Sequence, residues 1–245
     1  MSLILIILLF PFCTCLDTLT PDQSIKDNQS LISKENNFAS CFFSPGNSSY
    51  RYLGIWHVKV TKQTVVWIAN RNDPINDSSG VLSINQFGNL VLHDSFNHLL
   101  WSTNVSVQGT TSSVVQLQDS GNLVFVEGNN KKVLWHSFNY PTDTLLPSMR
   151  LRLNRITGLD RFLTSWKSQD DSGTGDYFYK MKPTGSPQVS LYKGYEPKSP
   201  RDWYLRDGSE GCVRKQSMCG NGEGFVKVKR LKLPDSFNAT WMTRV

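Results

Sequence analysis

The sequence is poor in the residues and motifs that most enzymes need. It has four histidines (His57, His93, His98 and His136) in 245 residues, and none has a nucleophile motif beside it. No Gly-x-Ser-x-Gly, Walker or kinase motif occurs, which excludes the common hydrolytic and phosphotransfer machineries. Gly220-x-Gly222-x-Gly224 lacks the preceding strand, the spacing and the following helix of a phosphate loop. Cys212 and Cys219 have no histidine near them and not the spacing of a metal knuckle, so neither a metal centre nor a cofactor is expected. The reading is a non-enzymatic protein. After the first ten residues no apolar run approaches the roughly 20 residues that a membrane-spanning helix requires.

The sequence does carry an apparent address. Ser2 to Phe10 form a short apolar core, followed by Pro11 and Cys13-Thr14-Cys15, the order of a secretory signal peptide cleaved near Cys15. Asn-x-Ser/Thr acceptor sequences at Asn28, Asn47, Asn76, Asn104 and Asn238 agree with a secreted, extracellular glycoprotein. Cleavage leaves Cys41, Cys212 and Cys219, an odd number. At least one thiol then lacks an intrachain partner or pairs with another chain, and Cys212 with Cys219 is one candidate disulfide. Charge is uneven: residues 1–149 hold 8 Lys+Arg against 10 Asp+Glu, and residues 150–245 hold 18 against 10. The basic residues of the second part are interleaved with Asp and Pro rather than striped, so a solvated surface is expected and no nucleic-acid partner.

An internal repeat organises the first part. Trp67, Trp101 and Trp135 stand 34 residues apart, each preceded by an apolar residue (Val66, Leu100, Leu134). Gly54, Gly88 and Gly121 open apolar stretches at intervals of 34 and 33. Such a period marks units that cannot bury their own apolar faces and share a core. The runs are β-branched and aromatic, broken by turn formers such as Asp119-Ser120-Gly121-Asn122. At about five residues per strand, each unit has room for about four strands. The expectation is all-β: three pseudo-symmetric four-stranded sheets, with the three tryptophans as structural core near a threefold axis.

Several stretches resemble the ectodomains of plant S-locus receptor-like kinases: Arg51-Tyr52-Leu53-Gly54-Ile55-Trp56, Val65-Val66-Trp67-Ile68-Ala69-Asn70-Arg71, Leu117-Gln118-Asp119-Ser120-Gly121-Asn122-Leu123-Val124, Trp135-His136-Ser137-Phe138-Asn139-Tyr140-Pro141-Thr142-Asp143-Thr144, and Leu163-Thr164-Ser165-Trp166-Lys167-Ser168. The resemblance implies a bulb-type (G-type) lectin β-prism over residues 17–147, after a signal peptide at 1–15. It implies a partial S-locus glycoprotein unit over 148–193, and the tail of an EGF-like module with the start of a PAN module over 194–245. It further implies a truncated ectodomain lacking the transmembrane and kinase parts, with a large internal piece missing near Lys193 to Tyr195. On that view the second part holds only fragments of folds.

In bulb-type lectins the sugar is held by Gln-x-Asp-x-Asn-x-Val-x-Tyr, whose alternate spacing puts its side chains on one face of an extended segment. The third repeat offers Gln118, Ser120, Asn122, Val124 and Val126. The second keeps only Asn89 and Val91 among Asn85, Phe87, Asn89, Val91 and His93, and the first, aligned on Gly54, keeps none. The plainer role for Asn89 and Asn122 is that Gly-Asn makes the turn into a strand, and this role is preferred here. The resemblance implies a mannose-type glycan, or an extracellular protein or peptide, as partner, with pairing to full-length receptor kinases as a further expectation. It also implies recognition, of pollen or in defence, as the role.

Overall fold

The computed structural model describes residues 16–60, 64–105, 113–128, 131–154, 156–181, 189–194 and 196–197. These residues form β1 (Thr18–Leu19), β2 (Ser24–Lys26), β3 (Leu31–Ile32), β4 (Phe38–Phe43), β5 (Tyr52–His57), β6 (Thr64–Ile68), β7 (Val81–Ile84), β8 (Leu90–His93), β9 (Leu99–Ser102), β10 (Ser113–Leu117), β11 (Leu123–Glu127) and β12 (Val133–His136). They pair antiparallel in three four-stranded sheets. Sheet one has the order β3-β4-β5-β6, sheet two β2-β7-β8-β9 and sheet three β1-β10-β11-β12. The all-β, three-sheet architecture read from the repeat is the one observed.

Its construction differs from the expected one in two respects. Each repeat supplies three strands, not four. The fourth strand of every sheet comes from residues 18–32, which lay β1 beside β10, β2 beside β7 and β3 beside β4. One short leader therefore stitches all three sheets. The register of the first repeat also differs. Ile55, Leu92 and Phe125 face Trp67, Trp101 and Trp135, and each pairing is followed at once by a bulge. Counting back from these residues makes Leu53, Leu90 and Leu123 equivalent, so Arg51 corresponds to Gly88 and Gly121. Gly54 is not their counterpart. Gly88 and Gly121 have φ of 70° and 81° and sit in turns, where glycine avoids the Cβ clash of left-handed backbone. Gly54 lies inside β5 because a Cβ there would meet the Phe43 ring at 2.6 Å.

The inner faces of the sheets converge on one core. Leu53, Ile55, Leu90, Leu92, Leu123 and Phe125 are all buried in it with Trp67 and Trp135, and the partly buried Trp101 packs against it. The three indoles meet edge to face, with centroids 5.8, 5.8 and 5.5 Å apart and planes at 66–77°, the geometry favoured by aromatic quadrupoles. The Trp67 indole N–H donates to the Tyr140 carbonyl at 2.8 Å, and the Tyr140 ring stacks on Trp135.

Beyond a single 3-10 turn (Ser137–Asn139), the chain forms a small ribbon, β13 (Arg152–Leu153) with β14 (Asp160–Arg161). A fourth four-stranded sheet follows, β15 (Leu163–Ser168), β16 (Asp171–Met181), β17 (Val189–Lys193) and β18 (Glu196–Pro197), paired in sequence order. The last pairing of this sheet joins β17 to β18 just past Gly194.

Candidate functional site

The Gly-Asn-Leu-Val stretches of sheets two and three form the same hydrogen-bonded device. In sheet three the Leu123 N–H donates to the Ser137 hydroxyl at 2.9 Å, and that hydroxyl donates to Asn122 Oδ1 at 3.2 Å. Asn122 Oδ1 also accepts the Phe138 N–H at 3.2 Å. In sheet two the Leu90 N–H donates to the Thr103 hydroxyl, which donates to Asn89 Oδ1, and Asn89 Oδ1 takes the Val105 N–H at 2.6 Å. Sheet one closes the corresponding bond with Asn70, whose Oδ1 accepts the Leu53 N–H at 2.8 Å. A buried strand N–H needs a partner, and these residues provide one just past each tryptophan. Asn89 and Asn122 thus spend their acceptor oxygens on the fold and keep only their NH2 groups for anything outside.

The remaining motif positions leave little to grip a ligand. Gln118 is exposed beyond the end of β10, where its backbone closes the turn with Asn122 and Gly121. Ser120 is exposed, and its hydroxyl accepts the Asn122 N–H at 3.4 Å. A hydroxyl there cannot supply the charge-assisted bonds of a carboxylate. Val91 and Val124 lie on the outer sides of their sheets at 1% and 6% exposure, so neither offers an apolar surface to a sugar ring. Gln118, Ser120 and Asn122 share one hairpin end, whereas Asn89 and Val91 belong to a different sheet.

Sheet one has put its outer face to another use. With the register given by the tryptophan pairs, its motif positions are Ser48, Tyr50, Tyr52, Gly54 and Trp56, which share no residue with the motif. Phe43, Tyr52 and Ile68 form a buried cluster there, packed against Trp56, Val65 and Trp166 of β15. Arg71, 9% exposed, completes the seam. Its guanidinium donates to the carbonyls of Ser172 and Ser165, each at 3.0 Å, and to the Thr164 hydroxyl. The Thr164 N–H donates to the Thr142 carbonyl at 2.8 Å, and the Thr174 N–H to Asn72 Oδ1 at 2.9 Å. Burial lowers the Arg71 pKa, opposed by the nearby Asp143 and Asp171 carboxylates. Burial likewise pushes up the pKa of Asp143, itself only 5% exposed, with Arg71 opposing the rise. Arg71, Asp143, Tyr52 and Trp166 were not singled out from sequence. An arginine and an aspartate in runs that read as strand and turn give no signal that both are buried.

Of the glycosylation candidates, Asn28, Asn47, Asn76 and Asn104 are exposed, and Asn238 lies outside the described residues, as do Cys212 and Cys219. Cys41 is a half-buried free thiol on β4, opposite Gly54, and burial pushes its pKa up to about 11. No helix among the described residues is long and apolar enough to cross a membrane.

Residues 64–167 match the model of the D-mannose binding lectin family. The G-type lectin S-receptor-like serine/threonine-protein kinase RKS1 of Arabidopsis thaliana is 33% identical, over 95% of this chain and 42% of that protein. The S-locus-specific glycoprotein S6 of Brassica oleracea is 41% identical over 80% of this chain and 46% of that protein. The chain belongs to this G-type lectin, S-locus receptor family. It spans about half the length of the curated relatives it matches. The alignment with RKS1 runs over 348 positions against the 245 residues here, so more than 100 positions of it have no counterpart in this chain. Among solved structures, a mannose-binding lectin from Gastrodia elata covers 49% of the chain and is itself 96% covered, at 20% identity and a TM-score of 0.35.

Proposed function

We propose that this chain is a secreted recognition protein derived from a receptor-kinase ectodomain, and that its outer-face motif is too depleted to hold mannose. The reading is supported chiefly by the internal use of the Asn89 and Asn122 oxygens, together with the serine at position 120. Residues 17–147 act as the lectin unit, residues 148–193 as the remnant of a second unit, and residues 194–245 as EGF-tail and PAN remnants. The extracellular address rests on the apolar leader and on the exposed Asn28, Asn47, Asn76 and Asn104. Partners of this kind of module are glycans, extracellular proteins or peptides, and full-length receptor kinases, in roles such as pollen recognition or defence. The protein-partner reading is favoured by the way sheet one already uses its outer face to bind polypeptide.

Calorimetry with methyl α-mannopyranoside tests the depletion. The native chain is expected to show no Gln118-dependent binding at millimolar sugar. Ser120→Asp combined with Val126→Tyr is expected to restore detectable binding, since hydrogen bonds to a charged group contribute about 1.5–3 kcal/mol each. Clear binding by the native chain that Gln118→Ala abolishes would overturn the depletion argument.

A further inference from the structure

Between the prism and the fourth sheet lies a cleft of about 350 Å³, lined by Trp67, Trp101 and Tyr140 on one side and Phe162, Phe178 and Asp160 on the other. No position of the lectin motif contributes to it. We propose that this cleft is a binding site for a neutral pyranose ring. Its volume lies within the range of small-ligand sites, about 300–1,000 Å³. Trp67 is buried at its base, and the accessible rings of Tyr140, Trp101, Phe162 and Phe178 suit a ligand with a flat apolar side.

The polar groups narrow the ligand further. Asp160 Oδ1 is buried without a hydrogen-bond partner, although buried acceptors are nearly always satisfied. A carboxylate only accepts, so the missing partner is a donor such as a hydroxyl. Asn139 lines the same cleft, and its Oδ1 is held by the Arg161 guanidinium through Nε at 2.8 Å and through a second nitrogen. That contact fixes the amide orientation and leaves the Asn139 NH2 group as a donor. The pair can therefore take two hydroxyls, one donating to Asp160 and one accepting from Asn139. An anionic ligand is opposed by Asp160. A cation is opposed by Arg71, which lines the cleft, by Arg161, and by Lys180, whose Nζ sits 5.9 Å from the Phe162 ring centre. What remains is an uncharged polyol with an apolar face.

The site is independent of the outer-face motif, and the test separates the two. The full chain is titrated with methyl α-mannopyranoside, methyl β-glucopyranoside, methyl β-galactopyranoside, cellobiose and N,N′-diacetylchitobiose, followed by tryptophan fluorescence and saturation-transfer NMR. At least one sugar is expected to bind and to change the tryptophan emission, because Trp67 and Trp101 line the cleft. Asp160→Asn should weaken that sugar about tenfold or more. Thr174→Val, also in the lining, serves if the first variant fails to fold, and should weaken it severalfold. Gln118→Ala should leave binding unchanged. No binding by any of the five sugars, or binding that survives the cleft variant while Gln118→Ala abolishes it, would overturn the proposal.

Discussion

The outer faces of sheet one and sheet three share a backbone plan and differ in almost everything attached to it. Both place a bulge after the residue opposite the anchor tryptophan, and both tie off the buried leucine N–H of the middle strand with a side chain just past that tryptophan. On sheet three the motif positions put Gln118 and Ser120 into solvent and leave Asn122, Val124 and Val126 without a covering element among the described residues. On sheet one the counterparts of those last three, Tyr52, Gly54 and Trp56, lie against Phe43 or beneath β15. The inner faces are bound to one another through three touching indoles, so they cannot vary separately. The outer faces carry no such obligation, and one of them has become a docking surface for the next sheet.

Breaking what the two faces have in common should cost the most. Trp67→Ala, Trp101→Ala and Trp135→Ala are each expected to lower stability by about 3–5 kcal/mol, measured by denaturant unfolding. If one were tolerated at the roughly 0.5 kcal/mol of a surface change, the threefold equivalence would fail. Next comes the seam found only on sheet one. Arg71→Ala strands two carbonyls and leaves Asp143 buried without its neighbouring cation, a loss of about 3 kcal/mol. Limited proteolysis should then cut within β15 and β16, which are expected to stay protected in the native chain.

Exchanging residues between the faces sharpens the contrast further. Gly54→Val gives sheet one the residue that sheets two and three carry as Val91 and Val124. Its Cβ meets the Phe43 ring, so the change should cost about 1–3 kcal/mol by overpacking. A neutral or stabilising melt would mean that the seam is loose. The smallest effect concerns Cys41, beside Gly54 on the same face. With its pKa raised to about 11, the thiol stays protonated at neutral pH and reacts slowly. Alkylation by iodoacetamide should rise about tenfold per pH unit toward that value. Fast alkylation of the native thiol at pH 7 would contradict the burial of its side chain.

The sequence made the repeated part legible because its signal is itself repeated. Three tryptophans at one spacing, with β-branched runs and turn formers between them, point to three sheets around one core. The register of the first copy was misread because Gly54 imitates Gly88 and Gly121 by position while serving a different need, room for Phe43. The origin of each fourth strand was hidden for another reason. Residues 18–32 contain pairs and triplets of strand residues too short to show a period, and their partners lie far along the chain. In the candidate site, Asn89 and Asn122 stand at turns, and their side-chain oxygens bond residues just past the next tryptophan. The burial of Arg71 and Asp143 was invisible, because a charged residue discloses its partners only once the fold brings them together.

The leader that stitches the sheets also sets a clock on biosynthesis. Leu19 is among the first residues of the prism to be made, yet its partner in sheet three is Val115. At about 5–20 residues per second of synthesis, β1 must wait roughly 5–20 seconds with its backbone unpaired before that partner exists. β3 is served almost at once by β4, and β2 later by β7. The sheets should therefore close in the order one, two, three, the reverse of the order in which their leader strands are made. A chaperone or membrane surface that holds residues 17–26 during this interval would influence folding more than one acting on any other stretch of similar length.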